Sequence, residues 1–268
     1  MSDTDVRAEV AAWWATALSQ IEPGTITLRD HPIQSLIGSA SLVDVLWLLL
    51  RGRLPHPREA SLLEAALVAG VDHGPHAPSI ASARMAITCG VGLNNAIANG
   101  VNVLGDVHGG AGQQCAELLF AIDERRRSGT ELEIAVAEVA DAYRREHSQY
   151  LPGFGHRFHP VDPRSAPLLA LTDAAVRDGI VTGRHVEAGR ALEQHLNIGR
   201  DRRIPMNVDG ATAIIYAELG FAAPLARGFF VLSRSIGILA HAWEESQQGR
   251  RIKGPIPPTI APEYLGQA

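Results

Sequence analysis

Residues 223–247 read Ala-Pro-Leu-Ala-Arg-Gly-Phe-Phe-Val-Leu-Ser-Arg-Ser-Ile-Gly-Ile-Leu-Ala-His-Ala-Trp-Glu-Glu-Ser-Gln. From Phe229 to Trp243 apolar side chains fall on nearly every face of a helix, so this helix has to lie inside a core built of other helices. Arg234 is the exception within it. A guanidinium in such surroundings needs an anionic partner, either a carboxylate of the protein or one belonging to a ligand. The same charge interrupts the apolar run 228–240, which, like 42–50, is shorter than a bilayer span.

Helical periodicity extends outward from this segment over 6–21, 41–50, 58–69, 79–99, 113–127, 132–149, 164–178, 184–195 and 211–219. Ser41 is a fitting N-cap, and glycines 52 and 70 are fitting stops. Only 24–29 alternates as a strand does, which predicts a small hairpin near the N-terminus. The fold class is therefore all-α with a minor β hairpin. Residues 79–112 are crowded with Ala, Gly, Ser and Asn, a composition that lets helix backbones approach closely. No repeat, low-complexity tract or Ser/Gly linker divides the chain. A second helical lobe, if present, spans 113–222 and is inserted into a larger one made of 1–112 and 223–268. The active site then lies in the cleft between them. The tail Gly254-Pro-Ile-Pro-Pro258 is expected to cross the surface in extended form.

The chain has 268 residues, a formal net charge of -5 and 46% apolar residues, enough for a substantial core and without the basic excess of a general nucleic-acid binder. Cys89 and Cys115 lie in apolar, small-residue surroundings and are expected to be reduced and buried. The N-terminus carries no basic run followed by a long apolar stretch, which predicts a cytoplasmic protein without membrane or nucleic-acid partners.

Chemistry concentrates in three glycine-rich segments: His108-Gly-Gly-Ala, Gly153-Phe-Gly-His-Arg157 followed by Asp162-Pro-Arg164, and Asn207-Val-Asp-Gly210. Together they supply two imidazoles and a carboxylate, a set suited to moving protons at carbon. Each has a plainer reading: His108 as a turn before the next helix, Arg164 as a surface residue of a loop, Asp209 as a helix cap. In Leu151-Pro-Gly-Phe-Gly-His156 a proline and two glycines build a rigid turn with exposed amides, able to hold an anion or an adenine edge. Arg164 can grip a carboxylate with its planar fork. Asp72-His-Gly-Pro-His76 offers two histidines three apart, but no Cys or Glu completes a set and the neighbouring Pro and Gly spoil helical geometry, so no metal is expected. His159, His185, His195 and His241 read as surface or packing residues.

In this order and spacing, these motifs resemble the citrate synthase family, together with Thr25-Ile-Thr-Leu-Arg-Asp-His-Pro-Ile-Gln-Ser-Leu36, Leu46-Trp-Leu-Leu-Leu-Arg-Gly-Arg-Leu-Pro55 and Ser233-Arg-Ser. The resemblance covers nearly the whole chain and implies the multi-helical fold of that family, with a large domain and a smaller inserted one. It also implies His108, His156 and Asp209 as catalytic, and His73, Arg164 and Arg234 as ligands of a dicarboxylic 2-oxo acid. Pro152, Gly153, Phe154 and Gly155 would meet coenzyme A, which enters as a thioester substrate and not as a bound cofactor. A homodimer is implied, and because family members borrow an arginine from the partner subunit near the C-terminus, Arg251, with Arg250 and Lys253 as alternatives, is the candidate here.

Three departures shape the expected function. Pro55 and His73 are nearly adjacent, whereas full-length citrate synthases carry far more helix between the corresponding segments, and this shortening is similar to citryl-CoA lyases. Asp-His-Gly-Pro and Asn-Val-Asp-Gly also lean towards the lyase module of ATP-citrate lyase. Gly112 stands where synthases usually have Asn, and 250–255 does not align cleanly with the family. The expectation is cleavage of citryl-CoA to acetyl-CoA and oxaloacetate. The alternatives are condensation, as in citrate or 2-methylcitrate synthase, and a non-catalytic CoA-binding regulator on the same fold.

Overall fold

The computed structural model describes residues 3–266. The chain divides into two compact units, Met1–Glu64 and Ala65–Ala268, with the division falling inside one helix.

The first unit holds α1 (Asp3–Trp13), β1 (Ser19–Glu22), β2 (Thr25–Leu28), β3 (His31–Pro32), α2 (Ile33–Leu36), α3 (Leu42–Arg51) and the start of α4 (Pro57–Gly70). The helix expected over 6–21 ends at Trp13, because Ile21 is drawn into an antiparallel ladder opposite Ile26. Pro23 followed by Gly24 at φ +80° makes the tight turn between β1 and β2, the residue pair a type II turn demands. The next turn puts Arg29 and Asp30 at φ +45° and +66°. Arg29 is tethered there by Nε and Nη2, which donate to the Leu49 carbonyl at 3.2 and 2.9 Å. Ser41 caps α3 in a reciprocal capping box with Asp44, and Gly52 closes it in the left-handed conformation.

The second unit contains α5 (Pro78–Thr88), α6 (Leu93–Asn102), α7 (Ala111–Arg127), α8 (Leu132–Glu146), α9 (Ser165–Arg177), α10 (Arg184–Asn197), α11 (Val208–Glu218) and α12 (Ala223–Gln247). The single helix expected over 79–99 is two, because Gly90 at φ +89° breaks it. α12 packs against α5, α6, α7 and α11, but only one face of it is covered: Leu232, Ile236, Leu239 and Trp243 stay exposed, contrary to the expectation of a helix enclosed on nearly every side. Its length and mean hydropathy of 1.3 would also suit a bilayer, but its packing makes it the spine of a core in which Ile80, Ala83, Ala96, Ile238 and Ala242 are buried. Gly100 makes that contact possible, since a Cβ there would meet Ser79 O at 2.8 Å and Ile238 at 2.7 Å. α11 is buried almost throughout and packs on α7, α9, α10 and α12. Its last residue, Glu218, caps α10: Oε1 accepts the amides of His185 and Val186, and Oε2 those of Thr182 and Gly183 together with the Thr182 hydroxyl. The two cysteines are free, but only Cys115 is buried. Cys89 is exposed where α5 ends, contrary to the expectation that both were buried.

Candidate active site

The loop 151–157 is clasped to the chain entering α11. Asn207 N donates to Gly153 O at 3.0 Å, Gly155 N to Pro205 O at 2.8 Å, and Asn207 Nδ2 to Gly155 O at 2.6 Å, while Phe154 bridges to Met206. Gly153, at φ +88°, allows the approach. A Cβ there would sit 2.6 Å from Cys115 Sγ and 2.9 Å from Gly210 Cα, and one on Gly210 would sit 2.5 Å from Gly153 O. Gly153, Phe154 and Gly155 are thus backbone-held, with Pro152 buried beside them, and this clasp joins the segments bearing His156 and Asp209.

Asn207, not Asp209, caps α11: its Oδ1 accepts the Asp209 and Gly210 amides at 2.9 and 3.2 Å. Asp209 is thereby released from the capping role open to it in the sequence. Its carboxylate has no hydrogen-bond or ion-pair partner among the described residues and faces a narrow enclosed pocket with Gly112, Tyr216, Phe230 and Ser233. Burial pushes its pKa above the ordinary value, against the pull of Arg164 and Arg234. A Cβ on Gly112 would lie an ordinary 4.0 Å from Asp209 Oδ1, so glycine there is not forced by crowding; it leaves that side of the carboxylate open.

His156 Nδ1 accepts the Phe158 and His159 amides at 3.0 and 3.1 Å, which places the proton of the neutral ring on Nε2. His108 is the opposite tautomer. Its Nε2 accepts the Ser79 amide at 3.3 Å and lies 3.1 Å from the Ser79 hydroxyl, so Nδ1 carries the proton. The glycines after His108 are sterically required, since a Cβ would meet the Phe230 ring at 2.9 Å from Gly109 and Asp106 O at 2.5 Å from Gly110. His73 meets His156 edge-on with ring centroids 5.3 Å apart, and His159 stacks obliquely on His156 at 4.6 Å. Burial first, then neighbouring cations, hold His73 and His108 below the ordinary imidazole value. His156 is lowered by burial despite Asp162. All three rings are therefore neutral near pH 7 and present donors without charge.

The two arginines share a seat. Arg164 Nη1 donates to Ala69 O at 3.2 Å and Arg234 Nε to Gly70 O at 3.0 Å, while Ser233 Oγ donates to Leu67 O. These carbonyls are the unpaired acceptors of the last turn of α4, where the helix dipole is negative and welcomes cations. Among the described residues the place of a protein carboxylate beside Arg234 is thus taken by a helix end and by the face of Phe230, 4.8 Å from the guanidinium carbon. Arg234 is buried, makes no ion pair among the described residues, and its charge reaches His73, His108 and Asp209.

Arg164 is bound face to face by Asp162, with Nε–Oδ1 and Nη2–Oδ2 both 2.9 Å. Two of its five N–H groups stay unspent. Asp162 also accepts the Arg164 and Val208 amides, so one carboxylate joins the loop, the arginine and the start of α11. Burial alone would raise Asp162; the Arg164 contacts outweigh it and bring the carboxyl down to about 2. Sequence reasoning passed over Asp162, although an acid two residues before an arginine in a Pro-containing bend was a readable signal.

Arg251 stands apart. It is exposed on the tail, whose neighbouring amides at Ile252 and Lys253 bond to Thr88, and it touches none of the residues above. Among the described residues no group of three or more His, Cys, Asp or Glu is placed to hold a metal ion. Two roomier grooves of the second unit lie along α8 and between α7 and α8, and none of His73, His108 and His156 lines them.

A family model described as citrate synthase, C-terminal domain, matches residues 55–255. Citrate synthase of Haloferax volcanii is 29% identical over 206 residues, covering 76% of this chain and 52% of that protein, so the chain spans about half the length of this relative. The structure of citryl-CoA lyase from Hydrogenobacter thermophilus superposes with a TM-score of 0.81 at 30% identity, covering 95% of each chain. ATP citrate lyase from Methanothrix soehngenii, solved with citrate and coenzyme A, shares the fold with a TM-score of 0.79 at 19% identity, over 100% of this chain and 45% of that one. With three quarters of its length under one family model and 95% of it aligned with a relative of 30% identity, this chain belongs to the citrate synthase family.

Proposed function

We propose that the protein is a citryl-CoA lyase, cleaving citryl-CoA to acetyl-CoA and oxaloacetate without a metal or resident cofactor. The observation that carries this reading is internal: the single helix α4 spans almost all of the distance between Pro55 and His73. The mutual 95% coverage with the Hydrogenobacter lyase supports it.

In this reading Arg164, Arg234 and His73 bind the carboxylates of the 2-oxo acid, and the 152–155 loop meets the thioester. A thioester methyl is a very weak acid, so its enolate forms only beside a preorganised donor, and His108 supplies Nδ1–H. Asp209 exchanges a proton with the methyl carbon, a task suited to a carboxylate whose basicity burial has raised. In condensation Asp209 takes the methyl proton and His156, its Nδ1 occupied by two amides, gives its Nε2 proton to the carbonyl oxygen; cleavage runs the same transfers backwards, from a protonated Asp209 and a His156 whose Nε2 is free to take the hydroxyl proton. Cleavage and condensation use the same three groups.

Residues 113–222 are proposed as the smaller lobe, and the working form as a homodimer. The exposed stripe Leu232, Ile236, Leu239 and Trp243 on α12, spaced at helical intervals, supports association of two copies. Arg251 would act across that interface. The second reading, net synthesis, is favoured by the Haloferax relative being a citrate synthase. Incubation with citryl-CoA, and separately with acetyl-CoA plus oxaloacetate, separates the two. A lyase forms oxaloacetate from the first and releases no free thiol from the second; thiol release from the second would overturn the assignment.

A further inference from the structure

Helix α12 meets the 70–72 turn with successive turns of one face. Arg234 donates to Gly70 O. Gly237, three residues on, has no room for a side chain, because a Cβ would run into Val71 O and come within 3.3 Å of Asp72 Oδ1. One turn further, His241 Nε2 lies 3.2 Å from Asp72 Oδ1 and 3.4 Å from Oδ2. The spacing of 234, 237 and 241 is that of residues stacked on one helix face.

His241 is also fixed from behind. Its Nδ1 lies 2.9 Å from Arg84 Nη1, and a guanidinium only donates, so Nδ1 accepts and the proton of the neutral ring sits on Nε2, aimed at Asp72. Arg84 is bound in turn by Glu244 at 2.8 Å and by Glu245 at 2.6 Å, and Lys253 meets the buried Glu245 at 2.7 Å. Burial would raise Asp72, but His241 and the amides of Gly74 and His73 outweigh it and keep the carboxylate low. Asp72 directly precedes His73, so its bond to His241 anchors the turn from which His73 projects, and its charge reaches Arg234 without an ion pair between the two among the described residues.

We propose that His241 is a positioning residue for the acceptor site: by holding the Asp72 carboxylate, it fixes the turn that carries His73 and leaves Arg234 free for a substrate carboxylate. This rests on the reading of His73 and Arg234 as acceptor ligands. The pair is partly exposed, so its contribution is that of a screened charged hydrogen bond, roughly a three- to tenfold effect on binding.

The test compares His241→Ala with His241→Gln, whose amide can still donate to Asp72. Oxaloacetate affinity by calorimetry should fall about three- to tenfold in the alanine variant and return to within about twofold in the glutamine variant. Nitrogen-correlated NMR of the ligand-free protein should show the His73 ring resonances displaced in the first and restored in the second. Should the alanine variant fail to fold, Asp72→Asn probes the same link and should displace His73 likewise. Unmoved His73 resonances, or displacement that glutamine does not reverse, would overturn the proposal. A wild-type protein that binds no oxaloacetate would refute the functional reading instead, while the His73 resonances still decide the positioning role.

Discussion

Replacing Asp162 by Asn tests the joint between loop, arginine and α11. The carboxyl is brought from the ordinary 3.8 to about 2, and each tenfold change in proton affinity corresponds to about 1.4 kcal/mol, so its ionised form contributes on the order of 2 kcal/mol to the fold. The side chain is fully enclosed, so little of this is lost to solvent screening. Because the folded value is depressed, the contribution is present above the unfolded value and disappears as pH falls through about 2. Asparagine removes the charge and puts an NH2 group where one oxygen stood, so that either Arg164 Nη2 and the Val208 amide or Arg164 Nε and its own amide lose their acceptor, for a total cost of about 2–4 kcal/mol at pH 7. In thermal unfolding that amounts to a loss of about 4–15 °C for a unit of this size. Urea unfolding of both proteins from pH 7 to pH 3 should show a constant difference above about pH 5 that narrows below it. A difference equally large at pH 3 and pH 7, or none at pH 7, refutes the electrostatic account and makes the joint a matter of shape.

Asp209→Asn should lower turnover about 10²–10⁴-fold while leaving CoA affinity within about twofold, and retained turnover would remove Asp209 as the base. Because burial raises Asp209, its ionised form is a cost to folding: that group's contribution is present below the unfolded value and lost as pH rises through the folded one. The asparagine variant should therefore unfold at the same or a higher temperature than wild type at pH 7. Gly153→Ala should lose at least about 2 kcal/mol by urea unfolding, and adding Cys115→Ala should not restore it, since Gly210 Cα still blocks the new methyl. A thiol reagent at pH 8 should label exposed Cys89 and spare Cys115, whose thiol burial pushes up to about 12, until the protein is unfolded; mass spectrometry reads the difference.

Features decided locally were legible in the sequence. Ser41 and Gly52 bracket α3 because a hydroxyl cap with an acid three residues on, and a glycine after the last apolar turn, need no distant partner. The break at Gly90 was hidden because apolar periodicity continues on both sides of it, and the loss of 14–21 from α1 because Ile21 serves a ladder as well as a helix. At the site, residue types were readable but their partners were not. Asp209 is free only because Asn207, two positions earlier, takes the cap, and Arg234 needs no carboxylate of the protein only because α4 ends beside it. Asp162 had only its place two residues before Arg164 to mark it and His241 had no local signature, since what distinguishes them further is contact with segments 46 and 169 residues away.

Glu218 ties the start of α10 to the end of α11 with five hydrogen bonds, so α10 has no completed first turn until α11 has docked. The two helices then open and close as one cooperative block. Hydrogen exchange at the Gly183, His185 and Val186 amides should run at the rate of the α11 interior and not at that of a fraying helix end. Since the other end of α11 carries Asp209, the residue proposed to exchange the proton at carbon is mounted on a buried helix that packs against four others and should open only together with them. Its position should then change only in slow, cooperative openings of that block.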